Sequence, residues 1–152
     1  MLLAGLSFGD QPVQYEQRIR SHGLPGCWSQ AAVFHALAEG LAGIEDRGRA
    51  FDRVRIAPRW AATEAAHAET VLHYPASNAY AACRFRHEPK GRRLVLDLAG
   101  AFRKADLHIL LPHGVRKVAS VAVDGAAIPF TVARIERSRY VDFSLDAQPR
   151  GK

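Results

Sequence analysis

Cysteine is scarce in this 152-residue sequence, which contains only Cys27 and Cys83. The two lie in segments predicted to be different elements, and no Cys-x-x-Cys pair is available for zinc or redox chemistry. A chain of this length with 48% apolar residues can build a core without disulfides or metals. We therefore expect two reduced thiols and a cytoplasmic location.

Long hydrophobic runs are also missing. No segment approaches the roughly 18 apolar residues that a membrane-spanning helix needs. The apolar start of the chain, residues 1–8, has no basic region before it and is soon followed by Asp10. We therefore expect neither a signal peptide nor a membrane partner.

Common catalytic motifs are absent too. There is no Gly-x-Ser-x-Gly elbow, no phosphate-binding Gly-Lys-Ser/Thr loop and no His-Glu-x-x-His helix. We therefore expect no cofactor. We also expect no metal, because several histidines are scattered over predicted strands and turns without ligand spacing. These histidines are His67, His73, His87, His108 and His113.

Acidic residues are outnumbered, with 15 Asp and Glu against 21 Lys and Arg, and the net charge is +6. Such a balance is compatible with a polyanionic partner. The basic residues are, however, mostly interleaved with apolar residues at strand spacing, whereas a phosphate-tracking site needs clustered cations. We interpret them as the solvated face of a sheet and expect no nucleic-acid partner.

Residues 28–42 form the clearest predicted helix, since they are strong helix formers between the breaker run Gly23-Leu24-Pro25-Gly26 and Gly43. Their apolar positions surround most of the helix, which predicts burial on several sides and a buried His35. Only residues 13–20 offer a second weak helix. We infer that the missing neighbours are helices absent from this chain, or else a second subunit.

From about residue 51 the period of the pattern changes to two, with turn residues between short segments. Asp124-Gly125 predicts a two-residue hairpin turn of type I′. The predicted fold class is α+β, with a short N-terminal helical segment over residues 1–46 and an antiparallel β-sandwich over residues 47–152. The predicted strands are 52–57, 68–74, 79–87, 92–98, 106–111, 117–123, 128–134 and 139–145.

Polar residues gather before the helix, around the loop 21–27, where binding sites tend to be built. Glu16 can act as a general base, Arg18 or Arg20 can hold a polyhydroxylated or anionic ligand, and Trp28 can stack on a sugar. Three residues of this region also have a purely structural interpretation. Glu16 can be an exposed helix carboxylate, His22 a loop residue that forms hydrogen bonds, and Trp28 a core residue.

Several runs together resemble the end of the catalytic domain in six-hairpin glycosidases. The resemblance covers about residues 12–60 and is most similar to α-L-rhamnosidase-like enzymes, which are built on an (α/α)6 barrel. The runs are Tyr15-Glu16, Ser21-His22-Gly23, Trp28-Ser29, residues 36–44 from Ala36 to Ile44, and residues 51–60 from Phe51 to Trp60.

The resemblance implies that the helix is the last barrel helix, that residues 1–46 are the C-terminal part of the barrel, and that a β-sandwich follows. It also implies a carbohydrate substrate, with Glu16 as the catalytic base and Arg20, His22 and Trp28 at the substrate. Glycoside hydrolysis needs two carboxyl groups, and only one candidate is visible, so the isolated chain is expected to be inactive.

A non-catalytic sandwich that binds carbohydrate is the alternative function. Exposed aromatic residues would form its binding surface, and the candidates are Tyr74, Tyr80 and Tyr140.

Overall fold

The computed structural model describes residues 27–146, with side chains from residue 31 onward. Helix α1 (Cys27–His35) continues directly into a π-helical segment (Ala36–Leu41), and the rest of the described chain is mostly strand. The predicted α+β class is confirmed at this level. The strands are β1 (Ile44–Asp46), β2 (Arg53–Ile56), β3 (His67–His73), β4 (Tyr80–Glu88), β5 (Arg93–Gly100), β6 (Lys104–Leu110), β7 (Val121–Val123), β8 (Ala126–Ile128), β9 (Thr131–Ile135) and β10 (Ser138–Asp146).

Most predicted strands are present within one or two residues of their expected ends. The hairpin between β7 and β8 has the predicted turn, with φ of 49° at Asp124 and 84° at Gly125, as type I′ geometry requires. Three differences concern strand length and number. The segment predicted at 117–123 is a strand only over β7, and the single strand predicted at 128–134 is divided between the end of β8 and β9. The sequence does not predict β1.

Three sheets are formed by the described strands: a five-stranded sheet in the order β1-β2-β6-β10-β9, a three-stranded sheet β3-β4-β5, and the β7-β8 hairpin. The prediction of a purely antiparallel arrangement is wrong at one place, because β2 and β6 pair in parallel. The chain between them leaves the C-terminal end of β2, builds the three-stranded sheet and returns to the end at which β2 begins, so that Lys104 lies beside Arg53. A crossover of that kind gives a parallel pair.

The core is formed by side chains at alternate positions of the strands, which point to one face of each sheet. Ile56, Leu107 and Val141 of the five-stranded sheet belong to one hydrophobic cluster with Ala81 and Cys83 of the three-stranded sheet. Each of these side chains is at most 5% exposed. Burial of this kind is the main stabilising contribution to the fold.

The end of the helix is bonded to the segment that follows β2. The Ala57 amide donates to the Gly43 carbonyl at 2.7 Å, and the Arg59 amide donates to the Leu41 carbonyl at 2.9 Å. The Arg59 guanidinium also donates to the Gly40 carbonyl at 3.2 Å. A cation and two amides therefore satisfy the carbonyl groups that a helix end leaves without partners.

The helix itself is largely uncovered by the part of the chain that the structure describes. Phe34 is 66% exposed and Leu37 is 37% exposed, while Ala38 and Ala42 are buried near the sheet. The predicted buried His35 is wrong: its side chain is 70% exposed and lies 3.7 Å from Glu39. Strand β1 packs against the π-helical segment, whereas Phe34 and Leu37 stay exposed, so the described strands leave the apolar side formed by these two residues uncovered.

Gly43→Ala tests the junction between helix and sheet. Gly43 has a φ of 69°, and an added Cβ would lie 2.0 Å from the Ala57 carbonyl oxygen. We expect a loss of about 3 kcal/mol or more in the free energy of unfolding, measured by urea denaturation, because backbone groups must move apart.

Gly125→Ala is the matched control, since its φ of 84° is similar but nothing lies within 4 Å of an added Cβ. It should lose only about 1–2 kcal/mol, the ordinary cost of a left-handed alanine. Equal losses in the two variants would contradict the importance of the close approach at Gly43.

Candidate functional site

The residues predicted from the sequence to form a site fall mostly outside the described residues. Glu16, Arg20 and His22 precede residue 27, and of Trp28 only the backbone, within α1, is described. Their roles as catalytic base and sugar contacts stay predictions.

Within the described chain, polar side chains collect on the face of the five-stranded sheet that points away from the core, called here the polar face. Successive side chains of a strand point to opposite faces of the sheet, so these side chains lie on the face away from the buried residues of the same strands. The pairing register then sets Arg55 beside Asp106, Asp106 beside Ser144, and His108 beside Asp142. The polar face comprises Glu45, Arg53, Arg55, Asp106, His108, Thr131, Tyr140, Asp142 and Ser144.

His108 and Asp142 form the shortest contact across the β6–β10 pair, with 2.5 Å between Nδ1 and Oδ1. The imidazole also stacks on the Tyr140 ring, with a centroid separation of 4.1 Å and an interplanar angle of 10°. Since a carboxylate only accepts hydrogen bonds, Nδ1 carries the proton. In neutral His108 the other nitrogen, Nε2, is then an acceptor.

Asp106 lies at the centre of the polar face and accepts two side-chain bonds. The Ser144 hydroxyl donates to Oδ1 at 2.7 Å, and the Arg53 guanidinium donates to Oδ2 at 3.3 Å. The Ser144 bond, followed by the bond and charge of Arg53, lowers the pKa of Asp106 below its usual value against an opposing effect of burial. Asp106 therefore favours its charged form in the folded protein.

Arginines and a glutamate continue the network toward β1. Arg55 lies 3.7 Å from the Glu45 carboxylate, and Arg47 lies 2.8 Å from the same carboxylate. These groups are each about one-third to one-half exposed, so each pair adds little to stability. Their main effect is to hold the guanidinium groups at defined places on the face.

Two adjoining cavities cover this surface and share Arg55 and Asp106 in their walls. One, of about 400 Å³, extends over β6, β10 and β9, and the other, of about 480 Å³, extends toward Arg47 and Arg53. Together they form a shallow strip, called here the sheet groove. Both volumes fall in the range of small-molecule sites, roughly 300–1,000 Å³.

The charged side chains of the groove form hydrogen bonds and ion pairs with one another. Among residues 27–146, no three His, Cys, Asp or Glu side chains are grouped as metal ligands would be. The described thiol, Cys83, is buried on the opposite sheet, and burial, with a smaller effect of Asp97, raises its pKa to about 12. This thiol therefore stays protonated and is a poor nucleophile.

The three tyrosines proposed as sugar contacts have different surroundings. Tyr74 is 43% exposed, but its ring stacks on Phe51 and its hydroxyl donates to Asp46 at 3.2 Å. Burial and this bond raise the pKa of the Tyr74 hydroxyl. Tyr80 is 38% exposed on the three-stranded sheet. Of the three, only Tyr140 lies beside the sheet groove.

The sequence contained one usable sign of the groove. Asp106 and His108, and likewise Asp142 and Ser144, are polar residues two positions apart on strands whose intervening residues are apolar, a spacing that puts each pair on one face. What the sequence lacked was the strand order. Without it, the sequence shows His108 only as one of several scattered histidines.

Comparisons with family models, with curated proteins and with solved structures gave no match to this chain. In the part of the chain that has been described, no helix has both the length and the apolar character needed to span a membrane.

Asp106→Asn tests the centre of the polar face. Because the pKa of Asp106 is lowered in the folded state, its charge stabilises the protein above the unfolded-state pKa of about 3.9 and this contribution is lost as pH falls below it. We expect the wild type to exceed Asp106→Asn in unfolding free energy by roughly 1 kcal/mol or less at pH 7. The difference should shrink toward pH 3 in urea denaturation.

Ser144→Ala serves as the companion variant, because it removes the largest cause of the lowered pKa and leaves the carboxylate in place. It should show a weaker dependence of stability on acid than the wild type. If the difference in unfolding free energy between the wild type and Asp106→Asn grows as the pH falls, the lowered pKa of Asp106 is contradicted.

Proposed function

We propose that this chain is the C-terminal part of a cytoplasmic glycoside hydrolase that acts on O-glycosidic bonds. In this proposal residues 1–46 complete an (α/α)6 barrel, with α1 and the π-helical segment as its last helix, and residues 47–152 form a β-sandwich domain. The observation that carries the proposal is the exposure of the large apolar side chains Phe34 and Leu37. Exposed apolar side chains on one helix are typical of a surface that packs against other helices.

The junction between helix and sheet supports the same proposal. Two of the separate runs that carry the family resemblance are residues 36–44, which end at Gly43-Ile44, and residues 51–60, which include Pro58-Arg59. The Gly43-Ile44 turn and the Pro58-Arg59 element lie together through the bonds from Ala57 and Arg59, and Pro58 is fully buried. Two motifs separated in sequence thus form one structural unit.

The proposed chemistry assigns Glu16 as the catalytic base, with Arg20, His22 and Trp28 holding the sugar. Hydrolysis of a glycosidic bond also needs a carboxylic acid on the other side of that bond, to protonate the leaving oxygen. The proposal places this acid in the preceding barrel helices. The chain alone would then lack half of the catalytic pair.

Activity measurements test this division of the site. We expect the 152-residue chain alone to release no product from a panel of aryl glycosides. Fused to the region encoded directly upstream, it should become active, and Glu16→Gln should then lower kcat by about 100-fold or more, as expected for loss of a general base. Turnover by the isolated chain, or full activity of the Glu16→Gln fusion, would overturn the proposal.

Phe34→Ser tests the proposed helix-packing surface. Since Phe34 is 66% exposed, the substitution should change the unfolding free energy of the isolated chain by less than about 0.5 kcal/mol. It should nevertheless weaken co-purification with the separately expressed upstream region.

Val71→Ser provides the control, because Val71 is 64% exposed but lies on the three-stranded sheet. It should leave association unchanged. If the chain forms a dimer by sedimentation and Phe34→Ser breaks that dimer, a second subunit rather than an upstream helix covers the surface.

A second function, binding of carbohydrate without cleavage, is favoured by a different observation. The sheet groove places hydrogen-bonding side chains beside an aromatic residue, Tyr140, and this combination is suited to the hydroxyl groups and the apolar face of a sugar ring. This function requires neither Glu16 nor the upstream helices.

A further inference from the structure

We propose that the sheet groove binds a neutral sugar ring, with the His108–Asp142 pair and Arg55 contacting its neighbouring hydroxyl groups. This inference rests on the second function proposed above and assigns its site. The groove differs from the loop 21–27, which the resemblance links to catalysis, and it lies entirely within described residues.

The charge balance of the groove sets the class of ligand. Each of the three arginines, Arg47, Arg53 and Arg55, lies within 4.0 Å of a carboxylate oxygen of Glu45 or Asp106. The remaining carboxylate, that of Asp142, is bonded to His108. Each of these charged groups therefore already has a partner, so an anionic or cationic ligand would have to break an existing pair.

The remaining hydrogen-bonding capacity matches hydroxyl groups. Asp142 uses Oδ1 for the bond to His108, and no described side chain donates to its Oδ2. In the neutral form of His108, Nδ1 holds the proton and Nε2 is an acceptor. Arg55 supplies N–H donors from the adjacent strand. A hydroxyl group both donates and accepts, so neighbouring hydroxyls of one ring can use all three.

The sides of the groove limit the size and orientation of the ligand. Thr131 lies opposite Asp142 at the β9 side, and Tyr140 holds the imidazole by stacking on its face. The strand pairing of β6 and β10 fixes His108 relative to Asp142. The two acceptor atoms, His108 Nε2 and Asp142 Oδ2, are therefore positioned before a ligand arrives, which reduces the entropy lost on binding.

Titration of the full chain followed by ¹H–¹⁵N NMR tests the proposal. The probes are the neutral methyl glycosides of glucose, mannose, galactose and rhamnose, with glucuronate and glucosamine as charged counterparts. At least one neutral glycoside should give saturable shifts at His108 and Asp142 and should bind more tightly than either charged sugar. Absence of saturable binding by every neutral glycoside, or tighter binding of a charged sugar, would overturn the proposal.

Asp142→Asn removes the carboxylate while keeping the shape of the side chain, and it should weaken binding roughly tenfold or more, as loss of a charge-assisted bond does. Thr131→Val, on the exposed edge strand, is a second variant that leaves the His108 pair intact and should weaken binding several-fold. Arg84→Ala is the control, since Arg84 pairs with Glu69 on the three-stranded sheet, and it should bind as the wild type does.

The outcomes separate this proposal from the function on which it rests. Sugar binding that is unchanged in Asp142→Asn and Thr131→Val but produces shifts around Tyr80 would overturn the groove and leave the binding function standing. Absence of binding by all probes would reject both.

Discussion

The bonds between the end of the helix and the segment after β2 are the constraint on which the arrangement depends. Carbonyl groups of Gly40, Leu41 and Gly43 accept from Ala57 and Arg59. Without them the helix end would leave backbone acceptors without partners near the buried core. With them, the direction of the helix is fixed by the edge of the sheet, even though Phe34 and Leu37 contribute nothing to the described core.

The glycine at this junction is required for two separate reasons. Its positive φ turns the chain out of the helix, as is common one residue after a helix end. Its missing side chain also lets the Ala57 carbonyl come close enough that a Cβ would overlap it. A residue such as asparagine satisfies the first requirement and fails the second, so the position selects glycine more strictly than an ordinary helix end does.

Alternation along the strands explains most of what the sequence predicted correctly. Segments such as β4, β6 and β10 show a period of two, and the structure has strands there because one face meets the core. β1 was missed because three residues are too few to show a period. The parallel pairing of β2 with β6 could not be predicted, since it depends on where an intervening sheet returns the chain.

Because the sequence does not show which strands pair, it also predicts only part of the candidate site. The sequence shows that Asp106 and His108 share a face, but it does not show which strand lies beside them, and a hydrogen-bonded pair needs residues from two strands. The burial of His35 was expected wrongly for a related reason. A helix pattern states which residues are apolar, and it says nothing of whether the surface that covers them lies among the strands of this chain.

The helix and the sheet groove, although they support different functions, are connected by the short strand β1. Ile44 points into the core and is 1% exposed, whereas the next residue, Glu45, points to the polar face and holds Arg47 and Arg55. Gly43, which ends the helical part of the chain, immediately precedes both. If the helix packs against other helices, it therefore restrains Glu45, at the edge of the groove, through only Gly43 and Ile44. Because a short strand with few partners is easily displaced, the bonds from Ala57 and Arg59 stabilise the groove as well as the helix.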